Sequence, residues 1–185
     1  TVTADNVVLG IGLQGNLRQL ACPGGDWGGV QYQLDDPDEY EGENIVVIGA
    51  GDAAIENAVA LAKQNNVYIV NRRDEFARAK DGNRNLIEAA IKNNDITPYY
   101  SADPKSVTSG KLTLTVADGE AEVDCDRIIA RLGAIAPRKF VESCGIEFPS
   151  KDPASLPELS PQYQSNVPGL YIVGALAGFP LIKQA

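Results

Sequence analysis

The residues with the clearest chemical signature are Gly49-Ala50-Gly51-Asp52-Ala53-Ala54, a Gly-x-Gly-x-x-Ala turn set between an apolar run and an amphipathic segment. Each small residue has a physical task. Gly49 permits a tight turn, Gly51 lets a pyrophosphate approach the backbone, and Ala54 lets helix and strand pack closely. The helix beginning at Asp52 and Ala53 would turn free N–H groups and the positive end of its dipole toward the phosphates. About 20 residues on, where a dinucleotide site places the group that reads the ribose 2′ position, stand Asn71-Arg72-Arg73. A carboxylate there would select a 2′-hydroxyl. Two guanidiniums instead match a phosphate bidentately and point to NADP. Arg78 and Lys80 follow closely and add positive charge. The competing readings are a glycine-rich turn that binds nothing and a solvated basic loop.

Other chemistries are excluded by composition. The 185 residues contain no histidine, so a triad or metal site built on His is impossible. Three cysteines, Cys22, Cys125 and Cys144, form no Cys-x-x-Cys and fit reduced thiols in a cytoplasmic setting. They read as packing residues, with Cys125 between Asp124 and Asp126, carboxylates that would raise its pKa. Trp27 reads as the cover of a core edge. A net charge of −9 disfavours nucleic acid and anionic membrane as partners. No apolar run reaches the ~18 residues of a membrane-spanning helix. A hydrophobic share of 44% is enough for a real core.

The elements that must position this chemistry follow from patterning. Residues 1–41 hold a short strand at Asn6–Leu9, a Gly/Pro-rich loop and an acidic connector with one helical turn. Residues 42–132 read as a compact unit. Asn44–Ile48 is a continuous apolar run, as for a strand buried on both faces of a parallel sheet. A helix over Asp52–Gln64 follows, with Ile55, Val59 and Ala62 on one stripe, then a strand at Val67–Val70. This β-α-β order calls for a right-handed crossover. A second helix at Arg84–Lys92, a strand at Thr97–Tyr100, a hairpin from Lys111–Val116 to Ala121–Val123 turning at Asp118-Gly119, and a strand at Arg127–Arg131 complete the unit. Residues 133–185 hold a short helix at Arg138–Ser143, a Pro/Ser-rich stretch, a strand at Leu170–Val173 and an unfinished helical turn at Leu181–Ala185. The absence of a starting Met and that last turn suggest a piece of a longer protein. The fold class expected is α/β: a Rossmann-like three-layer nucleotide domain with a small antiparallel β meander, flanked by partial segments of another domain.

Ile45–Ala58 and Asn71–Phe76 resemble the nucleotide-binding domain of the thioredoxin-reductase-like, class II pyridine nucleotide-disulfide oxidoreductases. Glu56 matches a helix glutamate of that family, and Asn71-Arg72-Arg73-Asp74-Glu75-Phe76 matches its His-Arg-Arg-Asp-x-Phe stretch. The likeness extends outward. Val7–Gly12 is similar to a strand leading out of the flavin domain, and Pro23–Asp26 to the loop before the nucleotide domain. Ile128–Pro137, with Gly133, resembles the return to the flavin domain, and Gly169–Gln184, with Gly174-Ala175, the last motif beside the flavin. The resemblance implies that 1–41 and 133–185 are partial flavin-domain segments around an NADP-binding domain at 42–132. It implies hydride transfer from NADPH to FAD in the full-length protein, and onward transfer to an unidentified acceptor. Glu56 would steer the nicotinamide end. Three positions depart from the pattern. Gln31–Asp36 stand where thioredoxin-acting members carry Cys-x-x-Cys, which favours the ferredoxin/flavodoxin–NADP reductase type. Ala175 replaces an Asp that would bond FAD, so this chain alone is expected to bind NADPH without holding flavin. Asn71 replaces His and retains a donor. Apolar surface around Val7–Leu9 and Leu170–Ile172 would favour a homodimer. The alternative is a non-catalytic NADP-binding sensor or structural module.

Overall fold

A computed structural model describes residues 2–13, 16–152 and 155–179. The chain divides into two compact units, one of residues 19–132 and one assembled from 1–18 and 133–185.

The 19–132 unit is built on a five-stranded parallel sheet. Its strands are β2 (Val30–Gln31), β3 (Asn44–Ile48), β4 (Asn66–Val70), β5 (Ile96–Tyr99) and β9 (Arg127–Ala130), in the spatial order β2-β9-β3-β4-β5. Alternation along β3 explains the layering. Ile45 and Val47 face α1 (Asp52–Leu61) and α2 (Asp81–Lys92), in a core with Ala54, Ile55, Ala58, Leu61, Ile69 and Ile87. Val46 and Ile48 face the other way, onto Val107, Leu112, Leu114 and Val123. These belong to an antiparallel meander of β6 (Asp103–Thr108), β7 (Lys111–Val116) and β8 (Gly119–Asp124). Helices, sheet and meander form the expected three layers, and a strand buried on both faces must be apolar throughout.

Three local differences from the sequence reading have physical causes. Helix α1 stops at Leu61 rather than Gln64, because Asn65 folds back and its Nδ2 donates to the Leu61 carbonyl (3.0 Å) and the Tyr40 carbonyl (2.8 Å). Strand β6 is missing from the patterning because Pro104 and Lys105 break the alternation; it is an edge strand with a register shift between Pro104 and Ser106. Strand β2 has only two residues, and its pairing of Val30 with Ile128 is long-range. This compact unit begins at Gln19, since Leu20, Trp27, Val30 and Tyr32 pack into its meander-side core.

The other unit pairs β1 (Val7–Leu9) in parallel with β10 (Leu170–Ile172). With α3 (Arg138–Ser143) these strands enclose Val141, Ile146, Ile172 and Leu176. Val7 and Val8 are exposed. The turn expected at Leu181–Ala185 lies outside the described residues.

Two positions show how the core constrains the sequence. Gly49 has φ 140°, and a Cβ there would lie 2.5 Å from the Arg131 carbonyl oxygen. Gly49→Ala should therefore cost at least about 1–3 kcal/mol from backbone strain alone, read as a lower urea midpoint. Cys125 is buried, and burial, with the charges of Asp126 and Asp124 adding less, pushes its thiol up to about 11. At pH 8 a disulfide reagent should modify Cys125 more than about a hundredfold more slowly than a free thiol until the chain is unfolded.

Candidate functional site

Parallel pairing brings the two sequence signals to one edge of the sheet. Ile48, the last residue of β3, is in register with Val70, the last residue of β4. Whatever follows each strand must emerge at the same carboxyl edge, where open α/β sheets bind ligands. The Gly49 N–H donates to the Val70 carbonyl (3.0 Å), which links the turn to the start of the loop.

Gly49 is filled in from below by the Arg131 carbonyl and by Ala54, whose Cβ lies 3.2 Å from the position a Gly49 Cβ would take. Gly51 differs. It is the N-cap residue of α1, has φ −91°, and a Cβ built on it meets no atom within 4 Å. The position is open, and the protein itself would tolerate a side chain there. The Ala54 and Ile55 N–H groups donate to the Gly51 carbonyl, whereas those of Asp52 and Ala53 have no protein acceptor among the described residues. These are the orphan donors of a helix start, available to an anion.

The loop from Asn71 to Lys80 is braced from within. Asn71 is buried; its Nδ2 donates to the Glu75 carbonyl (2.9 Å) and its Oδ1 accepts the Arg73 N–H (3.0 Å). Its side chain shapes the loop, with one of its two amide N–H groups given to the Glu75 carbonyl. Phe76 is buried and meets Tyr100 edge to face, with centroids 5.8 Å apart. Held in this way, Arg72, Arg73 and Arg78 are exposed and make no ion pair among the described residues. Free guanidiniums beside a glycine turn suit a doubly charged phosphate.

Asp52 turns to the loop's far end. It accepts the Lys80 N–H (2.9 Å) and the Asn83 amide (2.9 Å), with Lys80 Nζ at 3.5 Å. The Lys80 N–H first, then Asn83, hold its carboxyl below the usual range. The stabilisation this gives is present above the ordinary carboxylate pKa and is lost as pH falls through the lowered one. Glu56 is exposed and accepts from the same Asn83 amide (2.8 Å), so its observed partner is α2. Asn83 carried no periodic or motif signal; only its place shortly after the basic stretch hinted at a role.

The remaining expected site residues lie in the other unit. Gly133 (φ 82°) accepts the Arg18 N–H through its carbonyl. Gly174 (φ 73°) and Ala175 open a 3-10 turn that follows β10. At the position of the missing dithiol, Gln31 ends β2 and the Tyr32 hydroxyl accepts the Leu20 N–H (2.9 Å). A cleft of about 270 Å³ beside α2 is lined by Glu75, Arg84, Glu88 and Tyr100, and none of the turn residues reaches it.

Known proteins are similar to this chain in sequence and fold. The chain is 28% identical over 182 residues to a ferredoxin–NADP reductase of Ignicoccus hospitalis, covering 94% of this chain and 57% of that protein. It is 30% identical over 157 residues to one of Lactobacillus delbrueckii subsp. bulgaricus, covering 82% and 48%. It spans about half the length of these relatives. Among solved structures it matches a bacillithiol disulfide reductase of Staphylococcus aureus with TM-score 0.87 at 22% identity, over 92% of this chain and 54% of that one. A thioredoxin reductase of Lactococcus lactis matches with TM-score 0.80 at 25% identity, over 97% and 60%. The family model described as pyridine nucleotide-disulphide oxidoreductase matches residues 1–174. With that match lying over a glycine turn and a cationic loop on one sheet edge, this chain belongs to the pyridine nucleotide-disulphide oxidoreductase family.

Proposed function

We propose that this chain is the NADPH-binding part of an FAD-dependent oxidoreductase that passes hydride from NADPH to flavin and on to an electron acceptor. The observation that carries the reading is the pairing of an open Gly51, with free Asp52 and Ala53 amides, and unpaired Arg72 and Arg73. The names of the relatives are those of reductases, which leaves a sensor or structural role without support.

The residues present fit NADP. The Asp52 and Ala53 N–H groups would hold the pyrophosphate, and Arg72 and Arg73, with Arg78, the 2′-phosphate. The nucleotide supplies the hydride; the protein supplies position, because cofactors carry the chemistry in such enzymes. Glu56 stands one turn into α1 and, through Asn83, stiffens the helix whose start meets the phosphates. No side chain is assigned as an acid or base. For FAD the described residues do not suffice: Gly174-Ala175 offers no carboxylate, and the glycine turn at Gly49–Ala54 is already assigned to NADP. Flavin binding therefore belongs to the longer protein. The absence of Cys-x-x-Cys at Gln31–Asp36 favours an acceptor other than a dithiol relayed through this segment. No described helix is long and apolar enough to cross a membrane, and the three cysteines are free, in keeping with a cytoplasmic setting.

Two substitutions test the two phosphate contacts separately. Arg72→Ala with Arg73→Ala should narrow the NADP-over-NAD affinity gap by ~2–4 kcal/mol, as loss of charge-assisted phosphate bonds would. Equal affinity of the unmutated chain for NADP⁺ and NAD⁺ in calorimetry would overturn the 2′-phosphate reading. Gly51→Val meets open space in the protein, so its unfolding midpoint should shift by no more than about 1 kcal/mol equivalent. Nucleotide binding should nonetheless be lost; if it persists, the pyrophosphate does not lie on this turn.

A further inference from the structure

The arginine loop is held at both ends, by different means. At its start, Asn71 closes the loop on itself, and its backbone bonds to Tyr99 and Ala102 tie it to the strand edge. Its end is held from α1. Asp52 Oδ1 accepts both the Lys80 N–H and the Asn83 Nδ2 at 2.9 Å, and the same Asn83 nitrogen donates to Glu56 Oε1 at 2.8 Å.

Asp52 and Glu56 lie four residues apart, on one face of α1, so one amide can serve both. Neither helix has a side-chain cap of its own: the N-cap residues are Gly51 for α1 and Lys80 for α2. The tie is therefore between helices. It joins the first turn of α1, which forms the pyrophosphate cradle, to the first turn of α2, which terminates the arginine loop. Neutral Asn83 is suited to this place, because an amide donates to two carboxylates without adding a charge beside a phosphate site.

We propose that Asn83 is a positioning residue for the nucleotide: by bridging Asp52 and Glu56 it fixes the end of the Arg72–Lys80 loop relative to the glycine turn, and so sets the preference for a 2′-phosphate. The proposal rests on the NADP reading above. A ligand with phosphates at both places measures the spacing between them, whereas one lacking the 2′-phosphate touches only the turn. Loosening the tie weakens the first ligand and spares the second. Asp52 keeps the Lys80 N–H and ammonium when Asn83 is replaced, so the charge at the turn is unchanged.

The test is calorimetric titration of the full chain, and of Asn83→Leu and Asn83→Ser, with NADP⁺ and with NAD⁺. Asn83 is only partly buried, and both replacements fit a helix start. In each variant NADP⁺ affinity should fall about tenfold and NAD⁺ affinity by less than about twofold, the scale of losing a hydrogen bond to a charged group. Exchange of the Lys80 amide should also quicken. A purely structural role would lower both affinities by one factor, and that outcome, or no change in either, overturns the proposal. Absence of any NADP⁺ preference in the unmutated chain would overturn the underlying reading, and this proposal with it.

Discussion

The register of Ile48 against Val70 is the constraint on which the site depends. Two adjacent parallel strands that end level must release their connections at the same edge, so a turn and a loop some 20 residues apart become neighbours. Shift the pairing by one residue and Ile45 and Val47 would leave the helix-side core for the meander. The apolar cores on both faces therefore defend the geometry of the edge. The Gly49 N–H to Val70 bond then holds the turn down, and the Arg131 carbonyl beneath Gly49 leaves no room for a different residue.

Electrostatics works locally against the overall charge. The chain carries a net −9, yet the site is proposed to gather phosphates. Several cations elsewhere are committed to carboxylates. Arg127 holds Glu43 through two bonds of 3.0 Å and lies 4.1 Å over the Tyr40 ring, and Arg138 pairs with Glu142. Arg72, Arg73 and Arg78 are left without such partners. Surface charges farther away than a Debye length of about 8 Å are screened at physiological salt, so the local balance is set by the loop itself, where three arginines stand against Asp74 and Glu75.

Much of this was legible in the sequence. The runs Asn44–Ile48 and Arg127–Arg131, the helix stripe with Ile55, and the Gly49–Ala54 turn carry patterns that come from burial on one or both faces, and burial is local to each element. What escaped was long-range or locally contradictory. Strand β2 exists because Val30 meets Ile128, which no window of sequence contains. Strand β6 carries a proline that ordinarily argues against a strand. In the site, the arginines were visible by type and spacing. Asn83 was not, because its meaning arises only when two helix starts come together. Asn71 could be found by position, but its bonds to the Glu75 carbonyl and the Arg73 N–H, which brace the loop from within, depend on a loop shape that spacing does not encode.

The way the chain passes between its units bears on the order of assembly. The 19–132 unit is continuous in sequence, while the other is stitched from 1–18 and 133–185. Where the chain leaves and re-enters, Leu17 bridges to Ala134 and the Arg18 N–H donates to the Gly133 carbonyl at 3.0 Å. Pairing Val7 with Leu170 in an unfolded chain would close a loop through everything between them. Once the continuous unit has folded and brought its two ends together, that loop loses most of its length, and its closure costs about 1 kcal/mol less. The continuous unit thus acts as a folded clasp that draws the β1 and β10 segments together, and kinetics favours the discontinuous unit forming second.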